Sequence, residues 1–206
     1  MKQKHFIDSH KGATGLFVLL LIWYYEQWHN STAWIYMAMH GGYGLLWVLK
    51  SRYFPDRSWE KPCSLFYGFV IWGALSLYWV TPYLIMQQKQ ASSPIYLSAC
   101  LLLFIIGVFY HFAADMQKYV QLKLQPGKLI TSELFRSCRN PNYFGELLIY
   151  LGFNLLAQHW LPLVFLGCFI SFVWIPNIIK KDRSLSRYPE FQSYKSKSSL
   201  FWPIKI

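Results

Sequence analysis

Six apolar blocks, at about 13–29, 33–49, 63–86, 94–114, 142–158 and 160–179, divide this chain at near-regular intervals. Each approaches the ~17–25 residues that carry a helix across ~30 Å of hydrocarbon. A segment in that medium must satisfy its own backbone groups, so helices are expected throughout. Composition agrees: 54% of the 206 residues are hydrophobic and 14% are charged, where a soluble domain carries about 25% charged residues. The expected fold is all-α: a polytopic membrane bundle of about six transmembrane helices, forming a single membrane domain over residues 1–206.

Charge sets the expected orientation. Stretches 1–12, 50–61, 115–141 and 180–206 hold nineteen of the 20 Lys and Arg residues; the opposite side holds only Lys89. Positive residues stay cytoplasmic, so both termini are expected inside, beneath a basic cytosolic cap. The net charge of +11 then reflects topology, attraction to anionic lipid or a phosphate-bearing ligand. The basic residues flank spans and carry no recognition motif, which argues against nucleic acid. No obligate protein partner is evident. The first block is too long for a cleaved signal peptide. Cys63, Cys100, Cys138 and Cys168 are scattered, without metal-ligand spacing. The C-terminal segment KKDRSLSRYPEFQSYKSKSSLFWPIKI mixes cations with aromatics and is expected to fold back onto the protein. The membrane is read as a bacterial inner membrane, or the endoplasmic reticulum in a eukaryote.

The polar residues inside the apolar blocks point to chemistry, because ionisable groups in a membrane are expensive. Arg139 to Glu146 reads RNPNYFGE at the mouth of the fifth block. Asn140, Pro141 and Asn142 suit a helix start; Arg139 and Tyr143 exceed that need, and Glu146 either snorkels or caps the helix start or serves a buried site. Asp115 is read at the end of the fourth helix, where negative charge is disfavoured, so a partner is expected: ligand or Arg139. His40 lies ~10 Å from the outer edge of the second block at 1.5 Å per residue. Tyr43 is on its face, and Gly41, Gly42 and Gly44 let another helix or a ligand approach closely. Glu26 ends the first block. Lys118, Lys123, Lys128, Arg136 and Arg139 share one loop and offer cations to phosphates. There is no dinucleotide fingerprint, phosphate loop, zinc motif or nucleophile elbow.

Together, ADMQKYVQLK, LFRSCRNPNYFGELLIYLGF and the C-terminal segment resemble the steroid 5α-reductase C-terminal-domain family over about residues 105–203. That scaffold is shared with sterol reductases and, more distantly, with isoprenylcysteine and phospholipid methyltransferases. The most specific element is Pro-Asn-Tyr-x-Gly-Glu, here Pro141–Glu146. The resemblance implies an oxidoreductase that reduces a carbon–carbon double bond of a hydrophobic lipid-like substrate with NADPH, its cofactor half lying at about 105–206. Family cofactor positions fall on Asp115, Lys128, Arg139, Asn142 and Glu146. Asn177 and Lys181 stand where the family more often has His and Tyr. His40 falls near the family's catalytic tyrosine and Arg52 near a basic cofactor contact. Cofactor contacts are therefore expected from Asp115, Lys118, Lys123, Lys128, Arg139, Asn142, Tyr143, Glu146, Asn177, Lys181 and Arg52. Proton donation is expected from His40 or Tyr43, with Glu26 as a further catalytic candidate. The alternative enzyme is an S-adenosylmethionine-dependent methyltransferase. Against it, Asn140 stands where those relatives have His, and Lys180-Lys181-Asp182 replaces their acidic pair. A third reading is a non-enzymatic lipid-binding or assembly module.

Overall fold

A computed structural model of the chain describes residues 1–203. Ile204, Lys205 and Ile206, the end of the basic C-terminal segment, lie outside the described residues. All regular structure among the described residues is helical. The elements are α1 (Gln3–Tyr24), α2 (Ser31–Tyr36), α3 (Gly42–Tyr53), α4 (Leu65–Ser76), α5 (Val80–Gln87), α6 (Pro94–Leu124), α7 (Pro141–Asn154), α8 (Trp160–Phe169), α9 (Ile175–Leu185) and α10 (Phe191–Lys197). A π-helical turn, Met37–Gly41, joins α2 to α3, and a second, Ile170–Trp174, joins α8 to α9.

Among the described residues, four helical stretches are long and apolar enough to cross a membrane: Gln3–Tyr24, Leu65–Gln87, Pro94–Leu124 and Trp160–Leu185. The other two expected spans are also helical, from α2 through α3 and along α7 to Ala157. The first of them is made less apolar by His40 and its glycines, and the second is short. Two boundaries differ from expectation. Helix α1 starts at Gln3, not near residue 13, because the polar N-terminal residues continue the helix. Helix α6 runs on to Leu124, so Asp115 lies inside a helix and not at its end.

The chain forms two compact units: Met1–Phe104 with Tyr150–Phe165, and Ile105–Ile149 with Leu166 onward. Unit 1 buries a set of polar side chains within an apolar core and leaves large apolar side chains outside. His10, Lys11, Thr14, His40, Thr81 and Asn154 are all 3% exposed or less, while Leu16, Leu20, Leu45, Phe66 and Phe69 are each more than 60% exposed. Such an apolar surface is unfavourable in water and suits hydrocarbon, where polar groups belong inside. Asn30 caps α2 by accepting from the Thr32 and Ala33 amides, and Gln158 turns the chain before α8 at φ 47°.

Glycine brings α1 and α3 together, the first of the two readings, helix or ligand, that the second block's glycines left open. A Cβ built on Gly44 would overlap the Lys11 carbonyl oxygen and stand 3.0 Å from its carbon, and one on Gly41 would lie 3.1 Å from the Gly15 Cα. Backbone meets backbone here, so neither side can yield by rotating a side chain. Gly44→Ala is therefore expected to cost at least ~1–3 kcal/mol, the range for overpacking a close contact. Gly42→Ala, with nothing within 4 Å of its new methyl, is expected to be neutral or stabilising by up to ~1 kcal/mol. Thermal unfolding of the two variants in the same detergent checks the contrast.

In unit 2, Gly107 and Gly145 play the same part between α6 and α7. A Cβ on Gly145 would overlap the His111 amide nitrogen and come within 2.6 Å of the Gly107 oxygen. This approach sets the first turn of α7 against His111 and Asp115 on α6.

Candidate functional site

Unit 2 assembles part of the expected cofactor set. Asn142 donates from Nδ2 to Asp115 Oδ1 at 3.2 Å. His111 Nδ1 lies 3.2 Å from the Asn142 carbonyl oxygen. Asp115 is 6% exposed and His111 2%. Asn142 Oδ1 is buried and meets no protein donor. A buried carboxamide oxygen left unsatisfied costs about 1–3 kcal/mol, so a donor from outside the chain is favoured there. Glu146 stands one turn further along α7, half-buried. Tyr143, also half-buried, has its ring 5.7 Å from that of Trp174.

Arg139 is placed otherwise than as an open phosphate contact. It is 5% exposed and bonds Asp182 through Nε at 2.7 Å and Nη2 at 3.4 Å. Its Nη1 donates to the Ser198 carbonyl at 2.7 Å. The alternative pairing with Asp115 is thus replaced by a fork on Asp182. Lys181 is likewise engaged, donating to the Arg139 carbonyl at 2.8 Å and to Asn140 Oδ1 at 3.0 Å. Asn140 also donates to the Leu200 carbonyl at 2.9 Å. Its side chain ties the α7 entrance to α9 and to the C-terminal segment.

That segment folds back, as its aromatics suggest. The Arg139 amide donates to the Ser199 oxygen and the Ser199 amide to the Ser137 oxygen. Tyr194 donates to the Phe135 carbonyl at 2.6 Å, and burial pushes the Tyr194 hydroxyl well above its ordinary titration range. Burial also pushes the Cys138 thiol up, consistent with a packing role. Phe201 and Trp202 set their rings 6.1 Å and 5.7 Å from Phe144.

The remaining cations of unit 2 are more open. Lys123, Lys128 and Arg136 are exposed and Lys118 is half-buried. Asn177 is exposed on α9. Arg52, in unit 1, is exposed near the end of α3.

In unit 1 the expected donors are enclosed. His40 sits in the π-turn, 1% exposed, its Nδ1 2.6 Å from the Tyr36 hydroxyl and its ring stacked on Phe153 at 4.3 Å. Thr81, also fully buried, donates to Asn154 Oδ1 at 2.7 Å. Glu26 is not brought to this group. It is exposed, in a left-handed turn at φ 55°. There it borders an open polar hollow of about 440 Å³ with Gln27, His29, Asn30, Thr32 and Lys89.

Sequence reasoning missed Lys11. Counted with the cytoplasmic stretch 1–12, it lies in fact some 12 Å along α1, from eight residues at ~1.5 Å each. Its Nζ donates to the Tyr150 hydroxyl at 2.9 Å and lies 4.5 Å from the Tyr43 ring centre and 5.3 Å from Trp47 and Tyr150. A cation at the centre of a membrane helix costs about 2.5–3.5 kcal/mol on insertion scales. A desolvated cation–π contact contributes ~2 kcal/mol and a hydrogen bond from a charged donor ~1.5–3 kcal/mol. The enclosure therefore offsets the cost. A lysine just ahead of a hydrophobic run, followed by glycines at Gly12 and Gly15, was the available signal.

Fold and burial pattern together define a helical membrane protein. The chain belongs to the family described as a protein of unknown function (DUF1295), whose model matches residues 14–198. No curated protein and no solved structure matches it.

Proposed function

We propose that this protein is a membrane-embedded NADPH-dependent reductase of a carbon–carbon double bond in a hydrophobic, enone-like lipid, of the steroid 5α-reductase-like superfamily. The observation that carries the reading is the buried Asn142 Oδ1 without a protein donor beside Asp115. These polar groups suit the hydroxyl and carboxamide groups of a dinucleotide. Asp115, Asn142, Tyr143 and Glu146 would hold its sugar and amide portions, and Lys118, Lys123, Lys128 and Arg136 its phosphates. NADPH, when bound, supplies the hydride. The chain's own task is to orient, to exclude water and to stabilise oxygen charge with a donor. The Lys and Arg bias further supports six crossings with both termini cytoplasmic.

The test is a fluorescence titration of the protein in lipid nanodiscs with NADPH, paired with a calorimetric titration with S-adenosylmethionine. Saturable NADPH binding below hundreds of micromolar is expected. Saturable binding of the methyl donor alone would transfer the site to methyl transfer. Binding of neither would leave a non-enzymatic lipid module.

A further inference from the structure

The polar hollow beside Glu26 has no part in the cofactor reading. It lies wholly in unit 1, between the turn after α1 and the turn after α5. Helix α1 and the stretch Leu65–Gln87 are each long and apolar enough to cross a membrane, and Pro94 opens the next such stretch. Residues 25–32 and 88–92 therefore stand where spans leave the hydrocarbon. The aromatics agree: Trp23, Tyr24, Trp28 and Tyr83 are each at least 44% exposed, and exposed Trp and Tyr gather at headgroup level. The hollow measures about 440 Å³, within the ~300–1,000 Å³ of small-molecule sites.

Its frame is fixed and its charges are unused. Asn30 Nδ2 donates to the Gln90 carbonyl at 3.0 Å, and the Ser92 amide donates to Thr32 Oγ1 at 2.9 Å, so the two turns are stapled together. Asn30 Oδ1 already accepts from the Thr32 and Ala33 amides, which withholds them from an anion. Charge comes instead from two side chains. Glu26 is the one acid between Asp8 and Asp56, and Lys89 the one Lys or Arg between Lys61 and Lys118. Both are exposed and both line the hollow. Among the described residues, neither side chain makes a hydrogen bond or ion pair.

One charge of each sign suits a zwitterion. A lysine ammonium meets phosphate as a point charge, and a carboxylate accepts from a primary ammonium. A quaternary ammonium has no N–H to donate and is held by aromatic faces; among the described residues, Phe, Tyr and Trp are absent from this lining. An anionic headgroup lacking an amine would set Glu26 beside a like charge. We propose that the hollow binds the headgroup of an ethanolamine phospholipid, with Lys89 on the phosphate and Glu26 on the ammonium. This binding is independent of the reductase reading.

The experiment uses the full chain in nanodiscs of equal parts phosphatidylethanolamine, phosphatidylcholine and phosphatidylglycerol, followed by native mass spectrometry. One phosphatidylethanolamine per chain is expected to be retained at ~10-fold preference over either other lipid, the scale of one charge-assisted hydrogen bond. Glu26 and Lys89 hold left-handed backbone at φ 55° and 53°, which glycine adopts without strain. Glu26→Gly and Lys89→Gly are therefore expected to unfold at no lower temperature than the parent, yet to lose the preference. The reversed pair, Glu26→Lys with Lys89→Glu, is expected to restore part of it, because a zwitterion can turn round. Glycerophosphoethanolamine, the headgroup without its chains, is expected to displace the lipid only weakly. Equal retention of the three lipids, or an unchanged preference in both glycine variants, overturns the proposal. Glycerophosphoethanolamine bound as tightly as the lipid overturns it too, by making the ligand a free solute.

Discussion

Arg139→Met is expected to remove about 3–5 kcal/mol of stability, the range for breaking one side of a buried ion pair. The guanidinium is the junction of three segments: the α7 entrance, α9 through Asp182, and the chain after α10 through Ser198. Removing it strands the Asp182 carboxylate, 17% exposed at the side chain, and frees the Ser198 carbonyl. Arg139→Lys is expected to recover little, since an ammonium cannot reproduce the planar fork. Differential scanning fluorimetry in detergent, with proteolysis between residues 185 and 203, measures both. If Arg139→Met unfolds like the parent, Arg139 does not hold this junction, and a ligand contact becomes its better explanation.

Asp115→Ala is expected to weaken NADPH binding by ~10–100-fold, the equivalent of a charge-assisted hydrogen bond worth ~1.5–3 kcal/mol. The variant removes an acceptor that polarises Asn142 and leaves that side chain free to rotate. Asn142→Asp is expected to be at least as damaging, because it sets a second carboxylate at about 3.2 Å from the first. The control is Lys195→Ala on α10, an exposed site expected to bind as the parent does. Fluorescence titration reads all three. Parent-like affinity in Asp115→Ala removes this carboxylate from the cofactor site.

The helical blocks were legible because apolar length is a one-dimensional property. The close α1–α3 approach was legible for a similar reason: glycines mark where backbones meet. The helix ends were not. Polar residues at an interface continue a helix as readily as they end it, which hid the burial of Lys11 within α1 and put Asp115 at a terminus that lies at Leu124. Asp115 and Asn142 were expected at one site, and they do meet. Arg139 was grouped with the surface cations because charge alone does not reveal burial; its carboxylate partner, Asp182, lies far along the chain. The Lys11–Tyr150 contact spans 139 positions, and no local pattern announces it.

The π-turn at Met37–Gly41 fits one residue more into a helical turn than its neighbours do. Winding the same five residues as ordinary α-helix would swing everything beyond them by ~100° about the axis. Tyr43 and Trp47 would rotate off the Lys11 ammonium, and Gly44 off the α1 backbone, together. The segment is thus a phase-setter: its wider winding, more than any one side chain in it, keeps cation and rings in step.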